Sequence, residues 1–214
     1  MFDYSYILFE SIALLAAIIQ INKIKHTPYI YIVPYLLYAL LYEVANFYNV
    51  FSVDHSNLWI TNITMTITFL FYSIFLCKII KTLLFKRWIK RLIFLSIICL
   101  IIDMAFFQGF WKLDSVIILF QYGIIILVNC IYFYELMNFT NKELGIMKLP
   151  AFWLNTGLLF FCLSQFLVFS SFAFMAYNGN YEYHFLFDVI SVIAGAILYS
   201  CLTVSFICFS KTTD

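Results

Sequence analysis

The sequence predicts an all-α membrane protein, a single domain of seven transmembrane helices. The chain of 214 residues is 65% hydrophobic and 11% charged, with a mean hydropathy of +0.99. Soluble domains carry about 25% charged residues, and a soluble core of this size cannot hide so much apolar surface. We therefore expect lipid to be the solvent. The apolar stretches and the placement of the basic residues predict the number of helices and their orientation.

Seven apolar stretches are long enough to span a bilayer, which requires about 20 helical residues. We number them spans 1 to 7, and they lie near residues 4–21, 28–48, 57–77, 92–110, 115–137, 150–175 and 184–209. The N-terminus has Asp3 and Glu10 but no basic cluster before its apolar run. We therefore expect span 1 to be retained rather than cleaved as a signal peptide.

The basic residues predict the orientation. Eleven of the twelve lysines and arginines fall on one side of the seven spans, and only Lys112 falls on the other. Basic loops stay cytoplasmic, so we expect a cell (inner or plasma) membrane protein with its N-terminus outside and its C-terminus inside. Six of these residues lie in the loop between spans 3 and 4, where we expect them to contact anionic lipid headgroups: Lys78, Lys81, Lys86, Arg87, Lys90 and Arg91.

Several function classes find no support. A net charge of +1 argues against nucleic acid as a partner. All six cysteines fall inside spans, where they are typical of small apolar fillers rather than of a disulfide framework. The chain has no HExxH, GxSxG or glycine-rich phosphate loop, so we predict no catalytic residues and no cofactor, and an enzyme is the less favoured class. Metal binding has only weak candidates in two outer loops: Asp54, His55, Glu182 and His184.

Four ionisable residues inside the spans need a physical reason, because charge in a membrane is costly. They are Glu10, Glu43, Asp103 and Asp188, and the amides Asn46, Asn62 and Gln121 lie at similar depth. Helical spacing places most of them on stripes of small or polar residues, which face neighbouring helices. We therefore expect these side chains to converge on a pocket that opens to the outer side.

Two interpretations of this pocket are open. No lysine or arginine lies at that depth, so the carboxyls cannot all be ionised. Either some are protonated and hydrogen-bond across the bundle, or the pocket accepts a proton, a cation or an amine. A stripe of Tyr31, Tyr35, Tyr38 and Tyr42 on span 2 offers aromatic walls for a cation, or packing and interface anchors.

An internal repeat is a further hypothesis. At a constant offset, span 2 and span 6 match at Pro28 and Pro150, Leu37 and Leu159, Leu41 and Leu163, and Glu43 and Gln165. Spans 1–3 would then repeat as spans 5–7, with span 4 as a linker. This plan resembles that of the sugar-efflux semi-carriers and PQ-loop proteins, although the Pro-Gln dipeptide is absent. The resemblance implies a small-solute or proton-coupled carrier.

A second resemblance concerns span openings. With Phe152-Trp153 and Gly157 in span 6, and Asn57-Leu58-Trp59 at span 3, the chain resembles small seven-helix bacterial membrane proteins and seven-helix sensor regions fused to histidine kinases. It implies a receptor-like or regulatory module for a small ligand or cation. A kinase domain is missing, so we expect a membrane or cytoplasmic signalling partner. The alternatives are the carrier and an intramembrane lipid-modifying enzyme that uses the buried acids.

Overall fold

The computed structural model describes residues 3–53, 56–106, 111–139, 145–178 and 184–211, and this part of the chain is helical. Its α-helices are α1 (Asp3–Ile19), α2 (Ile21–Ile24), α3 (Ile32–Phe47), α4 (Leu58–Ile79), α5 (Leu83–Phe106), α6 (Ser115–Phe139), α7 (Pro150–Asn178) and α8 (His184–Lys211). Short 3-10 helices at Pro28–Tyr31 and Ile146–Lys148 lead into α3 and α7. The all-α prediction is confirmed.

Five of the described helical segments are long and apolar enough to cross a membrane. They are Pro28–Phe47, Leu58–Ile79, Ser115–Asn138, Pro150–Ser171 and Phe185–Phe209. The apolar part of α1, Ser5–Ile19, is shorter, and α5 carries basic residues in its first turns. Large apolar side chains such as Leu15, Phe94 and Leu167 are exposed on the outside of the bundle. These features suit a multi-pass membrane protein, whereas the count of seven spans remains a prediction.

The basic stretch is helical where the sequence predicts a loop. Span 4 is predicted from residue 92, but α5 begins at Leu83 and carries Lys86 to Arg91 on its first turns. Lysine and arginine are good helix formers, so the charges do not oppose this extension. The two carboxylate oxygens of Glu135 on α6 accept hydrogen bonds from the amides of Lys81 (2.8 Å) and Thr82 (2.9 Å). Glu135 therefore satisfies amides at the start of α5, which helical bonds leave free.

Six of the long helices surround a common interior. Contacts join α3 to α1, α1 to α8, α8 to α7, α7 to α6 and α6 to α4. Hydrogen bonds between side chains join α4 to α3 and complete the ring. Helix α5 packs outside it, against α4 and α6. The internal repeat of the 3+1+3 plan remains a prediction.

Glycines let two pairs of helices approach closely. A Cβ atom at Gly157 would lie 2.6 Å from the Cβ of Cys201, so α7 and α8 pack tightly here. A Cβ atom at Gly195 would collide with the ring of Tyr6, which therefore lies directly on α8. Small residues permit such contacts between membrane helices. The second contact brings Tyr6 of α1 beside Tyr199, with ring centroids 5.5 Å apart.

Candidate functional site

A cavity inside the ring has a volume of ≈ 70 Å³, and we call it the tyrosine cavity. Its lining consists of Tyr6, Tyr35, Tyr38, Ala39, Tyr42, Glu43, Thr64, Met65, Thr68, Tyr72, Tyr122, Phe161, Leu198 and Tyr199. Seven of these residues are tyrosines, from α1, α3, α4, α6 and α8. A cavity that holds one water has a volume of roughly 10–15 Å³, so this cavity has room for a few waters or a small ligand.

Hydroxyl groups of α3 and α4 pair along one wall of the cavity. The Tyr35 hydroxyl donates to Thr68 Oγ1 at 3.3 Å, and the Tyr38 hydroxyl lies 3.1 Å from Thr64 Oγ1. These side chains recur at helical spacing, so each pair lies one turn from the next. The tyrosine side chains thus bridge the two helices, and all four of these residues line the cavity.

Ring contacts hold the tyrosines in place. Tyr35 stacks on Phe71 with centroids 4.0 Å apart and planes 1° from parallel, and it meets Tyr72 edge-on at 5.2 Å. Tyr6 and Tyr199 meet at an interplanar angle of 89°. Offset-stacked and edge-on pairs are the favoured aromatic arrangements. The aromatic walls of the cavity are therefore formed before any ligand enters.

Two of the predicted acids meet at this cavity. Glu43 of α3 is half-buried and lines it, while Glu10 of α1 is fully buried behind Tyr199. The Tyr199 hydroxyl donates to Glu10 Oε1 at 2.6 Å, and Glu10 Oε2 is buried with no hydrogen-bond partner in the described part of the chain. The two carboxyls are close enough for their charges to interact. No lysine or arginine is found among the described lining residues.

This combination of groups favours positively charged ligands. Tyrosine faces attract cations through the ring quadrupole, and phenol oxygens accept hydrogen bonds from an ammonium group. A carboxyl that is hard to ionise alone becomes easier to ionise when a cation binds beside it. Glu10 and Glu43 are thus placed to balance the charge of such a ligand.

Two other predicted site residues lie elsewhere, in what we call the Asn62–Asp114 junction. The Asn62 amide of α4 donates to the Lys112 carbonyl at 2.7 Å, and its oxygen accepts from the Asp114 amide at 3.1 Å. Asp114 Oδ1 accepts from the Ile117 amide at 3.2 Å and so caps the N-terminus of α6. Asp103 of α5 faces Asp114. The junction therefore attaches the residues just before α6 to α4.

The pKa of Asp114 reflects this position just before α6. The pKa is raised to about 6, mainly by burial and further by the neighbouring Asp103 carboxyl, while the hydrogen bond from the Ile117 amide acts in the opposite direction. One oxygen of each aspartate is buried with no hydrogen-bond partner in the described residues. Two facing carboxyls are not easily ionised together, which favours a proton on one of them.

The remaining predicted residues are dispersed. The Asn46 oxygen accepts from the Asn57 amide at 2.6 Å. Gln121 is buried beside Tyr122 in a smaller cavity of ≈ 10 Å³, and Asp188 is exposed on α8. The acids therefore do not converge on one pocket as the stripes predict. The physical reason is that α5, which carries Asp103, lies outside the ring, and that Asp188 is on an outward-facing part of α8.

The last predicted residues to locate are the metal-ligand candidates and the six basic residues expected to contact lipid headgroups. Asp54, His55 and Glu182 lie outside the described residues, and only the backbone of His184 is described. Within the described residues, no cluster of three or more potential ligands is suited to hold a metal ion. Of the six basic residues, Lys86 is half-buried, and the others are exposed: Lys78, Lys81, Arg87, Lys90 and Arg91.

Sequence reasoning missed most of the cavity. Thr61, Thr64 and Thr68 recur at spacings of three and four, which match the tyrosine stripe of span 2, so this wall could have been inferred. Tyr6, Tyr122 and Tyr199 carry no such local signal, because only the packing of α1, α6 and α8 brings them together.

Comparison with known proteins identifies no relative that could help to interpret this cavity. No family model, no curated protein and no solved structure matches the chain.

Proposed function

We propose that this chain is a multi-pass membrane protein that binds a small organic cation, such as a primary amine, in the tyrosine cavity. It acts as a receptor-like or regulatory module and signals ligand binding to a membrane or cytoplasmic partner. The observation that carries the proposal is the lining itself, which joins seven tyrosines to Glu43, with Glu10 hydrogen-bonded behind Tyr199.

The electrostatics of the lining favour a cation over a neutral or anionic ligand. A cation–π contact contributes about 0.5–2 kcal/mol, more when the site excludes water. An anion would meet Glu43 and no basic side chain among the described lining residues, with Glu10 behind Tyr199. A volume of ≈ 70 Å³ suits an ammonium group with a short alkyl substituent.

The proposed membrane arrangement has seven spans. α1 and α5 join the five long apolar segments as the remaining two, and the basic end of the bundle faces the cytoplasm. Glu43 and Tyr42 lie near the end of α3 that is remote from Lys23 and Lys25. In this orientation the ligand enters from the outer side.

Cysteine labelling tests the orientation. In a cysteine-free background, Ser56→Cys should react with a membrane-impermeant thiol reagent on intact cells, whereas Thr82→Cys should react only after lysis. Ser56 precedes the first residue of α4 and Thr82 follows its last, so the two positions lie at opposite ends of that helix. Labelling of Thr82→Cys in sealed cells, with Ser56→Cys protected, would overturn the arrangement.

Ligand binding tests the site. Ethylammonium should raise the unfolding temperature of the purified protein in detergent, because a ligand that binds only the folded state stabilises it. Glu43→Gln keeps the size and hydrogen-bonding capacity of the side chain but removes its charge. We expect at least about a tenfold loss of affinity, equivalent to about 1.4 kcal/mol.

Two controls interpret that result. Asp188→Asn makes the same chemical change at an exposed carboxyl away from the cavity, so its affinity should equal that of the wild type. Acetate should give no stabilisation. If a Glu10→Gln, Glu43→Gln double variant binds ethylammonium as well as the wild type, the cavity is only a structural element.

A carrier is the second candidate, because α5 lies outside a ring of six helices as the 3+1+3 plan requires. Uptake of radiolabelled ethylammonium into vesicles containing the purified protein separates the two functions. A carrier produces saturable flux that Glu43→Gln abolishes, whereas a receptor binds the amine without flux.

A further inference from the structure

A second, larger concavity lies on the outside of the bundle, and we call it the Tyr31 groove. It has a volume of ≈ 140 Å³ and is lined by Tyr31, Phe71, Ile74, Phe75 and Lys78. Tyr31, Ile74 and Lys78 are exposed, so the groove is open to the surroundings of the protein. It shares no lining residue with the tyrosine cavity.

The lining of the groove is apolar along its length and cationic at one end. Phe71, Ile74, Phe75 and Lys78 follow one another at spacings of three, one and three, and so share one face of α4. From Phe71 to Lys78 this face is roughly 10 Å long at 1.5 Å per residue. An apolar strip that ends in one charge is complementary to an amphiphile with an anionic head.

Lys78 is held in position at the end of the groove. Its Nζ lies 3.7 Å from the centroid of the Tyr31 ring, within the range of a cation–π contact. The ring covers one side of the ammonium group, while the group as a whole has three N–H donors. A lysine that is already ordered loses less conformational entropy when it binds an anion.

We propose that the Tyr31 groove is a binding site for an anionic phospholipid, with an acyl chain along Phe71, Ile74 and Phe75 and the phosphate on Lys78. The site rests on the proposed membrane arrangement, in which Lys78 lies at the level of the cytoplasmic headgroups. Lys81, Lys86, Arg87, Lys90 and Arg91 follow Lys78 in the chain and favour anionic over zwitterionic lipid at this end. The apolar lining favours a lipid over a free inorganic anion.

A lipid in this groove would also support the tyrosine cavity. Phe71 lines the groove and stacks on Tyr35, which lines the cavity. The groove lies between the 3-10 helix that precedes α3 and the side of α4. Both α3 and α4 contribute residues to the lining of the cavity. Occupation of the groove therefore restrains one wall of the cavity from outside.

Lipid retention measured by native mass spectrometry tests the proposal. The purified protein is released from detergent micelles that contain equal amounts of phosphatidylglycerol and phosphatidylcholine. We expect the wild type to retain phosphatidylglycerol preferentially, and Lys78→Gln to lower that retention about fivefold or more. Lys81→Gln is the matched control for loss of one charge at the basic end: Lys81 is exposed and does not line the groove, so this variant should lower retention clearly less than Lys78→Gln does.

Filling the groove gives an independent measurement. Ile74→Trp should lower retention of both lipids, because the larger side chain occupies the space of the acyl chain. Equal retention of phosphatidylglycerol by the Lys78→Gln and Lys81→Gln variants would overturn the site. Flotation with liposomes distinguishes this result from failure of the membrane assignment, since a protein that floats but shows no lipid preference refutes the groove alone.

Discussion

The tyrosine cavity and the Asn62–Asp114 junction gather acidic side chains for different purposes. At the junction, the side chains of Asn62 and Asp114 make three hydrogen bonds with two backbone amides and one backbone carbonyl. At the cavity, Glu10 is bound by the hydroxyl of a side chain, Tyr199. Backbone groups fix the path of the chain, whereas side-chain hydroxyls can turn towards a ligand. The comparison distinguishes acids that bind the backbone from the acids for which we propose a role in ligand binding.

The largest effect should follow removal of the junction amide. Asn62→Leu leaves the Lys112 carbonyl and the Asp114 amide without their partner, at about 1–3 kcal/mol for each buried group. We expect a clear drop in the unfolding temperature in detergent. The folded fraction should still bind ethylammonium with wild-type affinity. A loss of affinity without a loss of stability would contradict the distinction between the two regions.

A smaller effect should follow removal of one cavity hydroxyl. Tyr199→Phe keeps the ring contact with Tyr6 but removes the donor to Glu10, which should cost about 1–3 kcal/mol. Unlike the junction variant, it should also weaken ethylammonium binding. Tyr134→Phe is the matched control, because it removes the hydroxyl of an exposed tyrosine on α6 that does not line the cavity, and it should change neither stability nor ethylammonium affinity. Equal losses in the two variants would remove the special role of Tyr199.

The smallest effect concerns the pH dependence of the junction. The folded protein raises the pKa of Asp114 from 3.8 to about 6, so it binds this proton more tightly than the unfolded chain does. The resulting stabilisation is fully present below pH 3.8 and is lost as the pH rises through about 6. Asp114→Asn keeps an oxygen for the Ile117 amide but cannot titrate. Unfolding temperatures measured across this window should therefore depend less on pH in the variant, in which no carboxyl at position 114 faces Asp103.

An unchanged pH profile in Asp114→Asn would show that another group titrates in this window. The binding measurements on the cavity provide the contrast, because ethylammonium affinity should not change with this substitution.

Local sequence signals succeeded where one helix or one loop carries the information. Tyr35, Tyr38 and Tyr42 recur at helical spacing, and the structure places all three along the cavity. Glu43 lies on the same helix and reaches the same space. Spacing along one helix determines which side chains share a face, so these residues could be predicted to lie together.

Features that depend on contact with a second helix could not be predicted from the sequence. The basic residues from Lys86 to Arg91 are predicted as a loop, because charge marks the end of a membrane span. In the structure these residues lie on α5, and the carboxylate of Glu135 on α6 accepts hydrogen bonds from the Lys81 and Thr82 amides just before that helix. No pattern within residues 78–91 indicates that partner.

By itself, the sequence determined that the chain is helical and that several of its helices are apolar enough for a membrane, because composition and periodicity are local properties. Only the tertiary structure decided which acids meet. Glu10 and Tyr199 are 189 residues apart in the chain and share a hydrogen bond of 2.6 Å, whereas Asp103 is excluded from the same space because α5 packs outside the ring. A stripe on a helix predicts that a side chain faces a neighbour, and the packing of the helices determines which neighbour that is.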